Sequence, residues 1–558
     1  MSRKTILPKQ LHRRIFCVNM IFIFILFGLI YKLYDIQIVK GETYTKQLEK
    51  QSTIKVSLNS SRGSIYDRNN NLLTDTETKK LIMIDKKDVL ANYELNSLIV
   101  DLTDSYINNE NFIYNISSEY INIEVDHLDF NLEKKLEENG AIIENKTYRY
   151  SEEGLLAHTI GYINEDENKG VSGIEKYQKD ILDNSSERYI SVFKAGQAGG
   201  NVDNQYVGSL DSTAEVIEDE GSHIKITIDK KLQEEVEKIV DKEENPSAVI
   251  ISDAQTGEIL SMSSRPNFDQ YNIQNYLTSE NKELINRVTQ VSYQPASTFK
   301  MVVLFSAFEN KIIDENYTYT CIGHESVKNS GEEISCVNNA VHGDQTLKEA
   351  FANSCNSAFM DIANKMNDDL IIETAKRLKL GDTIDIGIEE IKGNVEENTD
   401  SRNLPIGQGS IEITPLQLNQ MTQIIANNGT YKPLYLYDSV IDNNKDTKVT
   451  FKYEKQSEII SPYIVTNIKD IMSEVSISGT AKDLQELKYE SGVKTGTSQT
   501  KVNGVSTNNW LISGFYPKDN SKYVITVVVE GSGDVSQDEG KSAVPIFKDI
   551  CLYLDKSL

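Results

Sequence analysis

The sequence predicts an α+β fold, an antiparallel sheet packed by helices, set behind one N-terminal apolar helix. Three observations carry this. Strand-like runs at residues 224–228, 248–252 and 524–529 flank a helical middle, as in a sheet covered by helices. Residues 15–31 hold no charge. The chain has 558 residues, 39% hydrophobic and 25% charged, which suits a folded protein of several domains. A net charge of −26 argues against nucleic acid as a partner, because phosphate binding needs a basic face. Five Cys exclude a disulfide-dense scaffold.

The first element is the apolar run, IFCVNMIFIFILFGLIY. At about 1.5 Å per residue it reaches about 26 Å, near the lower limit for a bilayer, and Leu33 and Tyr34 extend it. It is apolar all round, unlike an amphipathic core helix. No small-residue cleavage site follows, so a retained signal anchor is expected. Arg3, Lys4, Lys9, Arg13 and Arg14 precede the run with no acid among them, which keeps that end in the cytoplasm. The expected order is a cytoplasmic tail at 1–14, a single membrane helix at 15–34 and an outer chain beyond.

The outer chain begins as a helical continuation and alternates near residue 56. At 62–73 (RGSIYDRNNNLL) the Asn triplet marks a turn between short strands at Ile65 and Leu72-Leu73. Residues 76–150 are Asn- and Glu-rich and locally uninformative. Residues 193–222, rich in Gly, Asn and Asp, read as loop or boundary. Residues 224–228 then form a strand entering a helix with Asp229 as N-cap. Residues 248–252, the turn at 253–257 and residues 258–262 read as a hairpin.

Three motifs carry chemistry. In Ser297-Thr298-Phe299-Lys300, behind Pro295, serine and lysine share one helix face. A serine at a helix start sits beside free N–H groups, and a desolvated lysine gives up its proton more readily and activates it. Ser354-Cys355-Asn356 offers a hydroxyl and an amide from a short loop. Lys494-Thr495-Gly496-Thr497 offers a cation and hydroxyls for a carboxylate, with Gly496 letting substrate backbone approach a strand edge. Each is weak alone. In this order they form the S-x-x-K, S-x-N and K-T-G set of penicillin-binding proteins and serine β-lactamases.

Beyond the anchor, nearly the whole chain resembles a class B penicillin-binding protein, a monofunctional peptidoglycan D,D-transpeptidase. RGSIYDRNNNLL and the segment from His158 to Tyr177 (HTIGYIN…GVSGIEKY) resemble the signatures of the family's pedestal. TIDKKLQ, TGEILSM, GQGSIEITPLQL and WLISGFYP are similar to later landmarks. Ala296 and Asn70 stand where the family usually has Gly. The resemblance implies a pedestal, or dimerisation-type, domain at 35–215 and a transpeptidase domain at 222–558. It implies Ser297 as nucleophile, Lys300 as its base, Ser354 as proton relay and Asn356 as holder of substrate amide and Lys300. Lys494, Thr495, Gly496 and Thr497 would bind the donor carboxylate. The implied partners are stem peptides, β-lactams, a SEDS-family glycosyltransferase and elongation or division proteins, with no catalytic cofactor. A β-lactamase would need neither anchor nor pedestal. A silent wall-binding scaffold would not need Ser297, Lys300 and Lys494 intact.

Cys321, His324, Cys336 and His342 fall close together in the sequence and match the spacing of a structural zinc site, with Asp344 as a substitute ligand. A Cys321–Cys336 disulfide is the alternative, expected outside the cytoplasm and familiar among relatives. Cys355, Cys17 and Cys551 read as small packing residues. His158 reads as a satisfied core residue, Arg62 and Asp67 as a buried ion pair, and Trp510 as packing beside the Lys494 strand.

Overall fold

The computed structural model describes residues 9–40, 53–58, 62–106, 120–164, 168–183, 189–193, 222–328, 330–396, 400–453, 455–502, 504–532 and 542–556. The chain divides into two units, one of residues 1–59 and 187–217, the other of residues 60–186 and 218–558. The boundary expected at 193–222 lies almost wholly outside the described residues.

In the first unit the helix Lys9–Tyr34 runs on into a π-helical turn, Asp35–Val39. The stretch apolar enough to cross a membrane is Phe16–Val39, none of it buried within the protein. It ends five residues later than expected because Ile36, Ile38 and Val39 continue the apolar surface beyond Lys32 and Asp35. The same unit holds an antiparallel pair, Thr53–Ser57 with Tyr189–Phe193.

The second unit is built on a five-stranded antiparallel sheet. Its order is Ile259–Arg265, Ser247–Asp253, Tyr523–Val529, Val505–Tyr516 and Gly492–Val502, so the Lys494 motif lies on an edge strand. The expected hairpin is present, with Ala248 opposite Ser264. Asp229 caps the helix Lys230–Val240 by accepting from the N–H groups of Lys231 and Leu232. The wholly buried helix Pro415–Ala426 packs on the sheet. At its centre Asn419 accepts from Ser252 Oγ at 2.6 Å and donates to Thr526 Oγ1 at 3.2 Å, which satisfies its amide in an apolar layer. The helix Lys300–Glu309 is also buried along nearly its whole length.

Residues 76–150, unreadable locally, form a three-stranded sheet with Glu77–Asp85 at its centre, between Tyr120–Val125 and Ile142–Tyr148. Its small core includes Ile82, Leu95, Leu102, Ile121 and Leu136. The central strand, ETKKLIMID, is polar and then continuously apolar, so it shows no period of two.

The expected Arg62–Asp67 pair is absent. Arg62 Nε donates to Glu175 Oε2 at 2.8 Å, and its Nη1 pairs with Asp183. Glu175 also accepts from Arg149 Nε at 2.8 Å, and Arg149 reaches Asp75. Asp67 instead accepts from the N–H groups of Asn69 and Asn71 at 2.8 and 2.7 Å and of Lys230 at 3.2 Å. A carboxylate encircled by backbone donors needs no arginine. His158, half-buried, lies 2.6 Å from the Glu283 carbonyl and packs on Phe268. Trp510 sits opposite Thr497 on the neighbouring strand, as expected.

Candidate active site

Ser297 lies in a 3-10 turn, Ala296–Phe299, which leads directly into the helix Lys300–Glu309. Ala296 has φ +48 and Asn70 φ +62, so both departures from glycine occupy the left-handed region. The turn is held between two glycines. A Cβ on Gly407 would lie 2.3 Å from the Ala296 carbonyl, and one on Gly496 2.8 Å from the Pro295 carbonyl. Gly496 therefore makes room for the nucleophile turn itself, a demand within the protein that the sequence reading assigned to substrate.

The three motifs converge on Lys300. Its Nζ lies within hydrogen-bond distance of Ser297 Oγ (2.9 Å), the Ser354 carbonyl (2.8 Å), Ser354 Oγ (3.2 Å) and Asn356 Oδ1 (2.8 Å). Ser354, at φ +54, links the helices Leu347–Ala352 and Asn356–Asn364. Lys494 Nζ donates to Ser354 Oγ at 3.1 Å and to the Thr495 carbonyl at 3.0 Å. The Ser354 hydroxyl thus bridges two lysines. Asn356 Nδ2 donates to the Ser335 carbonyl at 3.1 Å, leaving its second N–H for other partners.

Both lysines are fully buried. Burial pushes Lys300 down to about 7, and the nearby cysteines oppose the shift. Burial, and then the neighbouring Lys300, hold Lys494 well below the usual lysine range. Two rings that sequence reasoning missed lie beneath them. Phe359 is 5.6 Å from Lys300 Nζ, and Phe351 5.3 Å from Lys494 Nζ. Their i, i+8 spacing around the second motif was the available signal. Thr480 was also missed. Its Oγ1 is 2.5 Å from Thr495 Oγ1, across a gap of sequence that no spacing rule covers.

The cysteine–histidine cluster forms with one change of member. Ligand atoms of Cys321, Cys336, His342 and Cys355 all lie within 4.8 Å of one another. Cys321 and Cys336 sulfurs are 3.8 Å apart, Cys336 and Cys355 3.7 Å, and Cys321 Sγ is 3.3 Å from His342 Nδ1. All of these cysteines are free, so the Cys321–Cys336 disulfide is not formed. His324 is outside the cluster. Gly323, at φ +99, turns the chain so that His324 enters an exposed hairpin, 3.9 Å from Glu333. Asp344 accepts instead from Thr320 Oγ1 at 2.5 Å. Cys355 takes the expected place of His324, because Ser354 turns it inward under the second motif.

Comparisons with known proteins agree with this geometry. The penicillin binding protein transpeptidase domain matches residues 247–552, and the penicillin-binding protein dimerisation domain residues 57–206. The chain is 26% identical over 550 residues to stage V sporulation protein D of Bacillus subtilis, covering 92% of this chain and 81% of that protein. It is 27% identical over 568 residues to peptidoglycan D,D-transpeptidase MrdA of Escherichia coli K12, covering 90% and 89%. In fold it is similar to penicillin-binding protein PBP2 of Helicobacter pylori in complex with MreC (TM-score 0.61, 22% identity, 90% of this chain and 99% of that one). It is likewise similar to penicillin binding protein 3 of Mycobacterium tuberculosis complexed with ampicillin (TM-score 0.63, 19% identity, 90% and 96%). With the family's transpeptidase domain spanning more than half of its length, behind the family's dimerisation domain, the chain belongs to the penicillin-binding protein transpeptidases and is a class B member, a serine-type peptidoglycan D,D-transpeptidase.

Proposed function

We propose that Ser297 is the acyl-accepting nucleophile and Lys300 its base. The observation that carries this is the 2.9 Å separation of Lys300 Nζ and Ser297 Oγ, in a lysine that burial brings to about 7 and whose free amine can accept the hydroxyl proton. Near neutral pH a large share of Lys300 is the free amine, whose lone pair takes the hydroxyl proton as Oγ attacks the penultimate D-Ala carbonyl of a stem peptide. Ser354 Oγ, between the two lysines, passes a proton to the departing D-Ala nitrogen. Asn356 orients Lys300 through Oδ1 and offers its free N–H to the donor peptide. Lys494, Thr495 and Thr497 hold the terminal carboxylate, and the N–H groups of Ser297 and Thr497 receive the oxyanion. An amine from a second strand then attacks the ester, forming the crosslink and freeing Ser297. A β-lactam enters as the donor does and remains on Ser297.

In this reading the apolar helix is a retained anchor, with the N-terminus in the cytoplasm and the catalytic part outside the membrane. A SEDS-family glycosyltransferase and elongation or division proteins are the proposed partners. The same reading places a structural zinc on Cys321, Cys336, His342 and Cys355. For metal–sulfur bonds of about 2.3 Å, sulfurs at the corners of a tetrahedron stand about 3.8 Å apart. The sulfur pairs at 3.8 and 3.7 Å match that edge.

The test is intact mass after incubating the full chain in detergent with a fluorescent penicillin, beside Ser297→Ala. One stable adduct, absent from the variant, is expected. An adduct that persists in Ser297→Ala refutes Ser297 as the nucleophile. In native spectra a gain of one zinc supports the metal, and a loss of two hydrogens a disulfide.

A further inference from the structure

Ser357 stands inside the cysteine cluster. It is fully buried, in the first turn of the helix Asn356–Asn364, whose N-cap is Cys355. Its Oγ donates to Cys321 Sγ at 3.2 Å and lies 3.4 Å from Cys336 Sγ and 3.3 Å from Cys355 Sγ. One hydroxyl therefore caps the face formed by all three sulfurs.

Charge explains why a hydroxyl belongs there. Three thiolates and a neutral imidazole around a divalent ion leave one net negative charge on the sulfurs. Buried negative charge requires hydrogen-bond donors. Backbone N–H groups supply part of this, Ser357 to Cys336 and Ala358 to Cys355, whereas the Ala340 carbonyl, 3.9 Å from Cys321 Sγ, is an acceptor and supplies none. The Ser357 hydroxyl is a donor within reach of every thiolate. Its distances of 3.2–3.4 Å to the sulfurs are those of a hydroxyl-to-sulfur hydrogen bond.

We propose that Ser357 is a positioning residue of this metal centre, donating its hydroxyl proton to the thiolate face and thereby setting how tightly a thiophilic divalent cation is held. The proposal rests on the zinc reading above. Removing an outer-shell donor of this kind typically weakens metal binding about 10–100-fold. It also leaves a spectroscopic mark. A hydrogen bond lowers the energy of a sulfur lone pair, so its loss moves thiolate-to-metal charge transfer to longer wavelength.

The experiment uses the full chain in detergent, with cobalt(II) as the spectroscopic probe and zinc removal by a chelator as the affinity readout. Wild type, Ser357→Ala and Ser357→Thr are compared. The expected result is one cobalt per chain in wild type. In Ser357→Ala the charge-transfer band shifts to longer wavelength and zinc binding weakens 10–100-fold. Ser357→Thr, which keeps the hydroxyl, behaves as wild type. If Ser357→Ala does not accumulate, Ser357→Val replaces it, since it matches threonine in shape without the hydroxyl. Metal uptake in wild type with an unshifted band and affinity within twofold in the variant overturns the proposal and leaves the zinc reading standing. Equal weakening of the alanine and threonine variants overturns it in favour of simple packing. No uptake by wild type overturns both readings.

Discussion

Lys300 is the proposed base for Ser297. Its ammonium form cannot accept the Ser297 proton, and its amine can. With its value lowered to about 7, β-lactam acylation is expected to rise with pH, pass its midpoint near 7 and level off above it. Stopped-flow acylation rates across the pH range check this, and a midpoint near the ordinary lysine value would refute the assignment. Thr480 supports a second expectation. Thr480→Val removes one hydroxyl–hydroxyl contact to Thr495, for a loss of about 1 kcal/mol or about fivefold in the second-order acylation constant. Chemistry at this scale was largely legible, because the S-x-x-K, S-x-N and K-T-G residues meet within hydrogen-bond reach. Cys355 and Ser357 were not. Cys355 lies inside the second motif and Ser357 directly after it, and their neighbours are set by the αL turn at Ser354 rather than by spacing.

At the element scale the readable features were those decided by local hydrogen bonds. Asp229 as a cap and the turn at 253–257 are of this kind, since their partners lie within a few residues. The sheet at 77–148 was not readable, because its strands are paired across long separations and only its buried core gives them a pattern. Capping also supplies a test. Thr414 closes a box with Gln417 at the start of the buried helix Pro415–Ala426. Thr414→Ala is expected to cost about 1 kcal/mol, read as a lower denaturation midpoint at unchanged slope.

At the scale of the whole molecule, Glu175 joins segments that local reasoning cannot bring together. It pairs with both Arg62 and Arg149 from a fully buried position. Glu175→Ala leaves two arginines without that carboxylate and is expected to cost about 3–5 kcal/mol, read as a large fall in thermal midpoint. The Arg62–Asp67 expectation failed for the same reason, as the true partner lies beyond the range of any local pattern. The convergence of a helix, a loop and an edge strand on one Ser354 hydroxyl has a consequence for antibiotic resistance. Lys300, Ser354 and Lys494 hold one another, so on the roles proposed for them a substitution among the three that turned away the drug is expected to turn away the cell-wall donor as well. Substitutions that exclude a drug while sparing the donor are therefore expected outside this trio.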